Sequence, residues 1–206
     1  MNSNGRRVVV NIILSIDGYY HGPGGPEDMG FVMPYALTDV ARDHLTGLWQ
    51  PATTALLGRT NAEGFMSYWP PVADQVDADP RDRGYAAWMR DAEKVVLSST
   101  LTEAPWERTR IFDEPAENVV DRLKSEGGGD IVVFSSASVI QALLTADRVD
   151  RLSFMIFPEI LGGGARLFED GLPASKWALA DAVTGEYGVV SLAYDRLRAE
   201  GDADAA

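Results

Sequence analysis

Near-continuous apolar runs alternate along this chain with segments of helical periodicity. An unbroken apolar run is typical of a strand buried on both faces, as in a parallel sheet. The predicted strands span residues 7–16, 53–57, 94–97, 109–112, 131–134 and 152–157. Helices are predicted at residues 39–48, 60–66, 85–91 and 115–124, and a further helix is capped by Ser135-Ser136 and runs to Leu144.

The last part of the chain predicts a hairpin. Residues 177–182 and 189–197 form an antiparallel pair joined by a turn around Thr184-Gly185. Alternating strands and helices that finish in a hairpin predict an α/β fold, with a mostly parallel sheet and an antiparallel edge. We expect one domain over residues 1–206, with an ordered core over about 6–198 and flexible tails at 1–5 and 200–206.

Two long segments show neither the apolar runs typical of buried strands nor the periodicity of a helix. Residues 17–30 contain five glycines and two prolines, and a loop of that length is expected to be functional. Residues 74–82 are acidic and predict a solvated excursion or, alternatively, a lid that closes over a site.

Composition narrows the possible partners. Eighteen basic and 31 acidic residues give a net charge of -13, which disfavours nucleic acid and anionic membranes as partners. The chain has no cysteine and two histidines, so we expect no metal site. The apolar run from Val8 to Ile16 is interrupted by Asn11 and Ser15 and is too short to span a membrane, so we expect a cytoplasmic protein.

Candidate chemistry lies where predicted strands end. Gly58-Arg59-Thr60 brings a positive charge to the start of a helix, where an anion is stabilised. Leu97-Ser98-Ser99 places two hydroxyls at the end of another strand, and Phe134-Ser135-Ser136-Ala137-Ser138 places hydroxyls and free N–H groups at a second helix start. Asp17-Gly18 follows the first strand. Parallel strands end at one edge of a sheet, so these segments predict a nucleotide site there.

Each of these segments also has a purely structural interpretation. Gly58-Arg59 could be only a helix entry, Ser98-Ser99 only a turn, and Ser135 or Ser136 only a helix cap. The common dinucleotide and P-loop glycine motifs are absent.

Several motifs, taken in order, resemble a known family. They are Val8-Val9-Val10-Asn11-Ile12-Ile13-Leu14-Ser15-Ile16-Asp17-Gly18, Leu57-Gly58-Arg59, Glu63-Gly64-Phe65, Trp69-Pro70, Val96-Leu97-Ser98-Ser99-Thr100-Leu101, Ile131-Val132-Val133-Phe134 and Pro158-Glu159-Ile160-Leu161-Gly162-Gly163-Gly164-Ala165-Arg166-Leu167-Phe168. In this order they resemble the dihydrofolate-reductase-like superfamily, specifically the RibD C-terminal reductase domain of bacterial riboflavin biosynthesis. The resemblance covers roughly residues 6 to 197 and implies a sheet with helices on both faces.

The resemblance implies an NADPH-dependent reductase that forms a homodimer. It implies that Gly58, Arg59 and Thr60, together with the turn of Leu97, Ser98 and Ser99, hold the 2′-phosphate end of the cofactor. The helix start implied to receive the pyrophosphate comprises Phe134, Ser135, Ser136, Ala137, Ser138 and Val139. Ile13 and Leu14 are expected to approach the nicotinamide, and Phe65 and Trp69 to line the substrate site, unless these two aromatics only pack in the core. Asp17 is the candidate proton donor, with a turn role beside Gly18 as the alternative.

The sequence departs from the family pattern at two places. Ser135-Ser136-Ala137 stands where the family commonly has glycine, and Thr60-Asn61 replaces an Arg-Thr pair, leaving one basic residue fewer for a 2′-phosphate. Dihydrofolate reduction itself is not expected. The main expectation is reduction of a small heterocyclic or carbonyl substrate, resembling 5-amino-6-(5-phosphoribosylamino)uracil reductase. The alternatives are a non-catalytic nucleotide-binding or regulatory protein and a purely structural dimerisation domain.

Overall fold

A computed structural model describes residues 5–198; of the tails predicted at 1–5 and 200–206, all but residue 5 lie outside the described residues. Its main sheet has eight strands in the order β5-β4-β3-β6-β1-β7-β10-β9. The strands of this sheet are β1 (Val8–Ser15), β3 (Ala52–Gly58), β4 (Glu93–Leu97), β5 (Thr109–Phe112), β6 (Asp130–Phe134), β7 (Arg151–Phe157), β9 (Lys176–Thr184) and β10 (Val190–Leu197). From β5 to β7 all neighbours are parallel, and β10 and β9 complete the sheet antiparallel.

Helices cover both faces of the sheet. They are α1 (Asp39–Trp49), α2 (Arg59–Tyr68), α3 (Pro80–Asp91), α4 (Ala116–Glu126) and α5 (Ala137–Thr145). Alternate residues of each central strand point to opposite faces, so β1 contributes Val8, Val10, Ile12 and Leu14 to the core beneath α4 and α5. Val9 packs in a second core beneath α1, α2 and α3. The α/β architecture with an antiparallel edge is confirmed.

The glycine-rich loop after β1 contains a short strand that the sequence pattern did not predict. This strand, β2 (Tyr19–His21), pairs antiparallel with β8 (Ala165–Arg166) in a separate two-stranded sheet. Gly164 makes the pairing possible, because a Cβ atom there would lie 1.9 Å from the carbonyl oxygen of His21. The loop is therefore fastened to the segment after β7.

The acidic segment is more ordered than expected. A 3-10 helix covers Pro70–Asp74, and α3 begins at Pro80 rather than near Tyr85, so the loop prediction up to Asp82 is wrong. The Asp79 side chain caps α3 by accepting a hydrogen bond from the Arg81 N–H.

The four strands that carry the candidate segments are neighbours in the sheet. β4, β3, β6 and β1 lie side by side and parallel, so their carboxyl ends share one edge. Within residues 5–198, no helix combines the length and the apolar character that crossing a membrane requires.

Candidate functional site

Two helix N-termini open on one cavity at the carboxyl edge of the sheet. Helix α2 begins directly after β3, and two residues separate the end of β6 from the start of α5. Neither first turn contains an acidic residue, and neither N-cap residue, Gly58 or Ser136, makes a side-chain capping hydrogen bond. The cavity has a volume of about 340 Å³ and is lined by Gly58, Arg59, Thr60, Asn61, Leu97, Ala116, Ser136, Ala137, Ser138, Val139 and Ala142. Two uncapped positive helix ends beside an arginine favour an anionic ligand.

Arg59 is the cation of this cavity. Its side chain is about half exposed and forms an ion pair with Glu63, one helical turn later, at 3.2 Å. An exposed pair of this kind contributes little to stability, so the guanidinium can exchange Glu63 for a phosphate at little cost.

The serine pair between β6 and α5 leaves the cavity open. Ser136 is buried, accepts a hydrogen bond from the Gly58 N–H at 2.9 Å and donates one to the Phe134 carbonyl at 3.1 Å. Its hydroxyl therefore ties the ends of β3 and β6 together. Ser135 adopts φ 51°, a left-handed conformation that glycine adopts more readily. The turn thus keeps the backbone geometry typical of glycine without the glycine itself.

A second cavity, largely apolar, adjoins the first. It has a volume of about 310 Å³ and lies between β1, β6, α1, α2 and α3. Phe65, Trp69 and Phe134 form part of its wall, together with Ile13, Val32, Met33, Ala36, Leu37, Ala41, Leu45, Tyr68, Tyr85, Met155 and Phe157, and its polar lining residues are Asn11, Arg42, His44, Asp82 and Ser135. Phe134 and Ser135 line this cavity and Ser136 lines the other, so the end of β6 contributes to the walls of both cavities.

The two residues expected near a nicotinamide lie on opposite faces of β1. Ile13 lines the apolar cavity, whereas the side chain of Leu14 is buried in the core beneath α4 and α5. Because side chains alternate along a strand, only one of the two side chains can face a given ligand, and the expectation that Ile13 and Leu14 both approach a nicotinamide stays a prediction.

Asp17 anchors a loop instead of facing the apolar cavity. Its carboxylate accepts hydrogen bonds from the Ser15 hydroxyl at 2.7 Å, the Leu161 N–H at 3.2 Å and the Gly162 N–H at 2.8 Å. The Ser15 hydroxyl and then these N–H groups lower the pKa of Asp17 to about 2. Such a carboxylate holds no proton at neutral pH. The contacts of Asp17 are those of the alternative turn role, and proton donation by Asp17 stays a prediction.

The turn after β4 is only partly at the first cavity. Leu97 lines it, but Ser98 and Ser99 lie outside its lining. The Ser98 hydroxyl accepts hydrogen bonds from the N–H groups of Thr100 and Leu101, at 3.2 and 2.9 Å, and so closes the turn. The contacts of Ser98 are therefore those of a turn residue.

Polar groups on α1 and α3 complete the apolar cavity, and the sequence patterns did not single them out. Arg42 forms an ion pair with Asp82 at 2.9 Å, and both residues line the cavity. Arg81 binds Asp39, Asp43 and Asp79 and so fastens the start of α3 to α1. These ion pairs make the end of the acidic segment part of the cavity wall.

Asn11 and His44 are the other polar residues that sequence reasoning missed. The signal for Asn11 was a carboxamide inside an otherwise apolar strand, and His44 gave none beyond its place on a helix. In the structure the His44 ring lies between Asn11 and Ser191, with nitrogen–oxygen distances of 3.0 and 2.6 Å. Burial lowers the pKa of His44 to about 4, so the ring is neutral at physiological pH.

Comparison with known proteins identifies the family. The chain matches the family model of the RibD C-terminal domain over residues 6–191 and belongs to that family. It is 27% identical over 195 residues to the uncharacterized protein YyaP of Bacillus subtilis (strain 168), and the match covers 94% of this chain and 96% of YyaP.

Solved structures share the fold. A protein of Shewanella sp. PV-4, assigned by its name to riboflavin biosynthesis, superposes with a TM-score of 0.68 at 20% identity, covering 93% of this chain and 99% of that one. A pyrimidine reductase-like protein of Corynebacterium diphtheriae gives 0.65 at 17% identity, over 94% and 93% of the two chains. Dihydrofolate reductase from Enterococcus faecalis, solved with NADP(H), gives 0.53 at 16% identity, over 93% and 97%. The dihydrofolate-reductase-like fold is thereby confirmed.

Proposed function

We propose that this protein is an NADPH-dependent reductase that transfers a hydride to a small heterocyclic or carbonyl substrate. The observation that carries the proposal is that consecutive residues at the end of β6 line both cavities: Phe134 and Ser135 line the apolar one, and Ser136 lines the one between the two helix N-termini. Membership of the RibD C-terminal domain family and the reductase names of several structural neighbours support it.

The residues of the first cavity fit the phosphates of NADPH. The N–H groups at the start of α5, around Ala137 and Ser138, are placed to bind the pyrophosphate, and Arg59 with Thr60 is placed to bind the 2′-phosphate. A Cβ atom at Gly58 would meet its neighbours at 3.7 Å or more, so backbone crowding does not close the cavity. NADPH supplies the hydride when bound, and the chain supplies binding and orientation.

The second cavity fits a small planar substrate. Ile13 and Ser135 line it near the carboxyl edge of the sheet, and Phe65 and Trp69 form aromatic walls. Apolar walls exclude water from the reacting atoms and hold a ring in one orientation. A pyrimidine or another flat carbonyl compound matches this shape.

A cofactor titration tests the proposal. We expect NADPH to quench the intrinsic tryptophan fluorescence with micromolar affinity and NADH to bind more weakly. The Arg59→Ala variant is expected to lose about tenfold to a hundredfold in NADPH affinity and little in NADH affinity, because one charge-assisted contact to phosphate is worth about 1.5–3 kcal/mol.

Arg90→Ala is the matched control. Arg90 is as exposed as Arg59 and is also ion-paired, but it lies on α3, outside the lining of the anion cavity. Its replacement should leave both affinities unchanged. Failure of the wild-type protein to bind either nicotinamide contradicts the proposal. Tight NADPH binding without hydride transfer to pyrimidine, pterin or enone substrates supports the non-catalytic alternative instead.

We also propose that the protein acts as a homodimer. Strand β9 is the last strand of the main sheet, and nearly all of its residues are exposed. Beside it, Phe154, Trp177 and Tyr194 line an apolar groove, and Leu179 and Phe168 at 57% and 46% exposure extend the apolar surface. An exposed apolar surface of this kind is typical of a subunit interface, and a twofold axis would pair it with its own copy.

A further inference from the structure

The carboxamide of Asn11 lies in the apolar cavity with a fixed environment. Asn11 is in the middle of β1, on the same face as Ile13, and its side chain is among the buried polar groups. Two residues along a strand correspond to about 6–7 Å, so Asn11 lies that much farther from the carboxyl edge than Ile13. In the register of β1 and β6, Asn11 lies opposite Phe134, and its carbonyl accepts a hydrogen bond from the Ser135 N–H at 2.8 Å, so Asn11 lines the cavity beside the end of β6.

Contacts with α1 determine which way the amide faces. The Asn11 Oδ1 atom lies 3.0 Å from His44 Nε2. An amide oxygen only accepts hydrogen bonds, so Nε2 must carry the hydrogen of the neutral ring. The other nitrogen, Nδ1, is then an acceptor and receives the hydrogen of the Ser191 hydroxyl at 2.6 Å. Ser191 on β10 thus fixes the tautomer of His44, and His44 fixes the orientation of Asn11.

With Oδ1 paired to His44, Nδ2 is the amide atom of Asn11 that remains for a ligand in the cavity. Within residues 5–198, Nδ2 donates to no protein acceptor, and it is not among the buried polar atoms that lack a partner. The cavity wall therefore presents N–H donors at this position, among largely apolar side chains.

We propose that Asn11 is the specificity-determining residue of the substrate site and selects a ring that offers a carbonyl oxygen. His44 and Ser191 are positioning residues that hold the donor face of the amide toward the ring. A ring that offers an amino group at that position would place donor against donor, and both would lose hydrogen bonds to water without replacement. The inference rests on the proposed function and names the substrate class of that same site.

Two pyrimidines of matched size test the inference by binding alone. 6-Aminouracil offers ring carbonyls at C2 and C4, whereas 2,4,6-triaminopyrimidine offers amino groups at these two positions and keeps the 6-amino group. Tryptophan fluorescence reports binding, because Trp69 lines the cavity. The wild-type protein is expected to bind 6-aminouracil at least tenfold more tightly. Asn11→Asp presents carboxylate oxygen in place of the N–H donors, and it is expected to reverse the preference.

Variants of the two positioning residues separate orientation from packing. His44→Phe and Ser191→Ala should reduce the ratio of the two affinities toward one. His44→Gln, whose amide can still donate to Asn11 Oδ1, should restore part of the ratio. Circular dichroism and the Tm of each variant identify loss of folding, and Ser191→Ala removes only a hydroxyl if His44→Phe proves unstable. A merely structural role would alter stability and leave the ratio of affinities unchanged.

The outcomes distinguish this inference from the proposed function. Equal binding of both rings by the wild-type protein, binding of neither ring, or an unchanged preference in Asn11→Asp would overturn the assignment of Asn11, whatever the protein does with NADPH. A protein that selects 6-aminouracil through Asn11 but binds no nicotinamide would support the ring site and contradict the reductase proposal.

Discussion

At the scale of single residues, Tyr85 buries a hydroxyl group that has no hydrogen-bond partner within residues 5–198. Its ring is fully buried against Trp69, Trp88 and Phe134, and its hydroxyl makes no hydrogen bond within residues 5–198. Burial without a partner costs a hydroxyl about 1–3 kcal/mol. Tyr85→Phe keeps the ring, so we expect its free energy of unfolding to rise by about 1 kcal/mol, measured by urea denaturation.

Tyr35→Phe is the matched comparison for Tyr85→Phe. The Tyr35 hydroxyl donates to Glu159 at 2.8 Å, so its loss should lower the stability. A Tyr85→Phe variant less stable than the wild-type protein would show that the hydroxyl has a stabilising partner.

Residue by residue, the sequence predicts the lining of the first cavity better than that of the apolar cavity. Gly58, Arg59 and Ser136 to Val139 follow apolar runs directly, and each lines the predicted cavity because strand end and helix start are local features. Asn11, His44 and Ser191 are distant in sequence and meet only through the packing of α1 against the sheet. No local sequence pattern predicts such a contact.

At the scale of secondary-structure elements, Asp17 connects the end of β1 to the segment after β7, and the strength of this connection depends on pH. Asp17 holds the N–H groups of Leu161 and Gly162, and these bonds, after that from Ser15, lower its pKa to about 2. The folded state therefore binds this proton less well than the unfolded chain, whose Asp titrates near 3.8. The stabilisation is present above pH 4 and is lost as the pH falls from about 4 through 2.

Asp17→Asn tests this coupling. The variant should be less stable than the wild-type protein at pH 7, and the difference between their urea midpoints should shrink as the pH is lowered from 5 toward 2. Asp77→Asn, at an exposed position before α3, should show no such difference at any pH. A constant difference between Asp17→Asn and wild type across this range would contradict the role of Asp17.

Helix α3 shows what an element-level pattern can miss. Asp79-Pro80 is a good helix start, with an N-cap carboxylate and proline in the first turn, yet it lies in an acidic stretch that resembles a solvated loop. The bonds from Arg81 to Asp39 and Asp43 gather that acidic charge around one guanidinium. Such compensation depends on α1 lying beside α3, which the sequence of either helix alone does not indicate.

The prediction of the overall fold depended on the order of the strands and helices more than on any single motif. Alternation of strands and helices predicted a mostly parallel sheet, and the closing hairpin predicted its antiparallel edge, as observed in β7, β10 and β9. In the described residues, β9 pairs only with β10, so one edge of the hairpin is uncovered.

That uncovered edge leads to a prediction about the assembly. We expect the wild-type protein to have twice the mass of one chain in light scattering after size-exclusion chromatography. Leu179→Glu places a charge beside the apolar groove of Phe154, Trp177 and Tyr194 and should yield monomers, because burying an unpaired carboxylate outweighs the remaining apolar contacts.

Val183→Glu is the control on the same strand. Val183 is exposed like Leu179, but it lines the polar cavity beside α1, on the other side of the sheet from the groove. A bulge between Ala193 and Tyr194 shifts the register, so Leu179 lies opposite Tyr194 and Val183 lies opposite Ser191. A dimer that tolerates Leu179→Glu and dissociates with Val183→Glu would place the interface on the face of α1, next to His44, and would reject the groove as the contact surface.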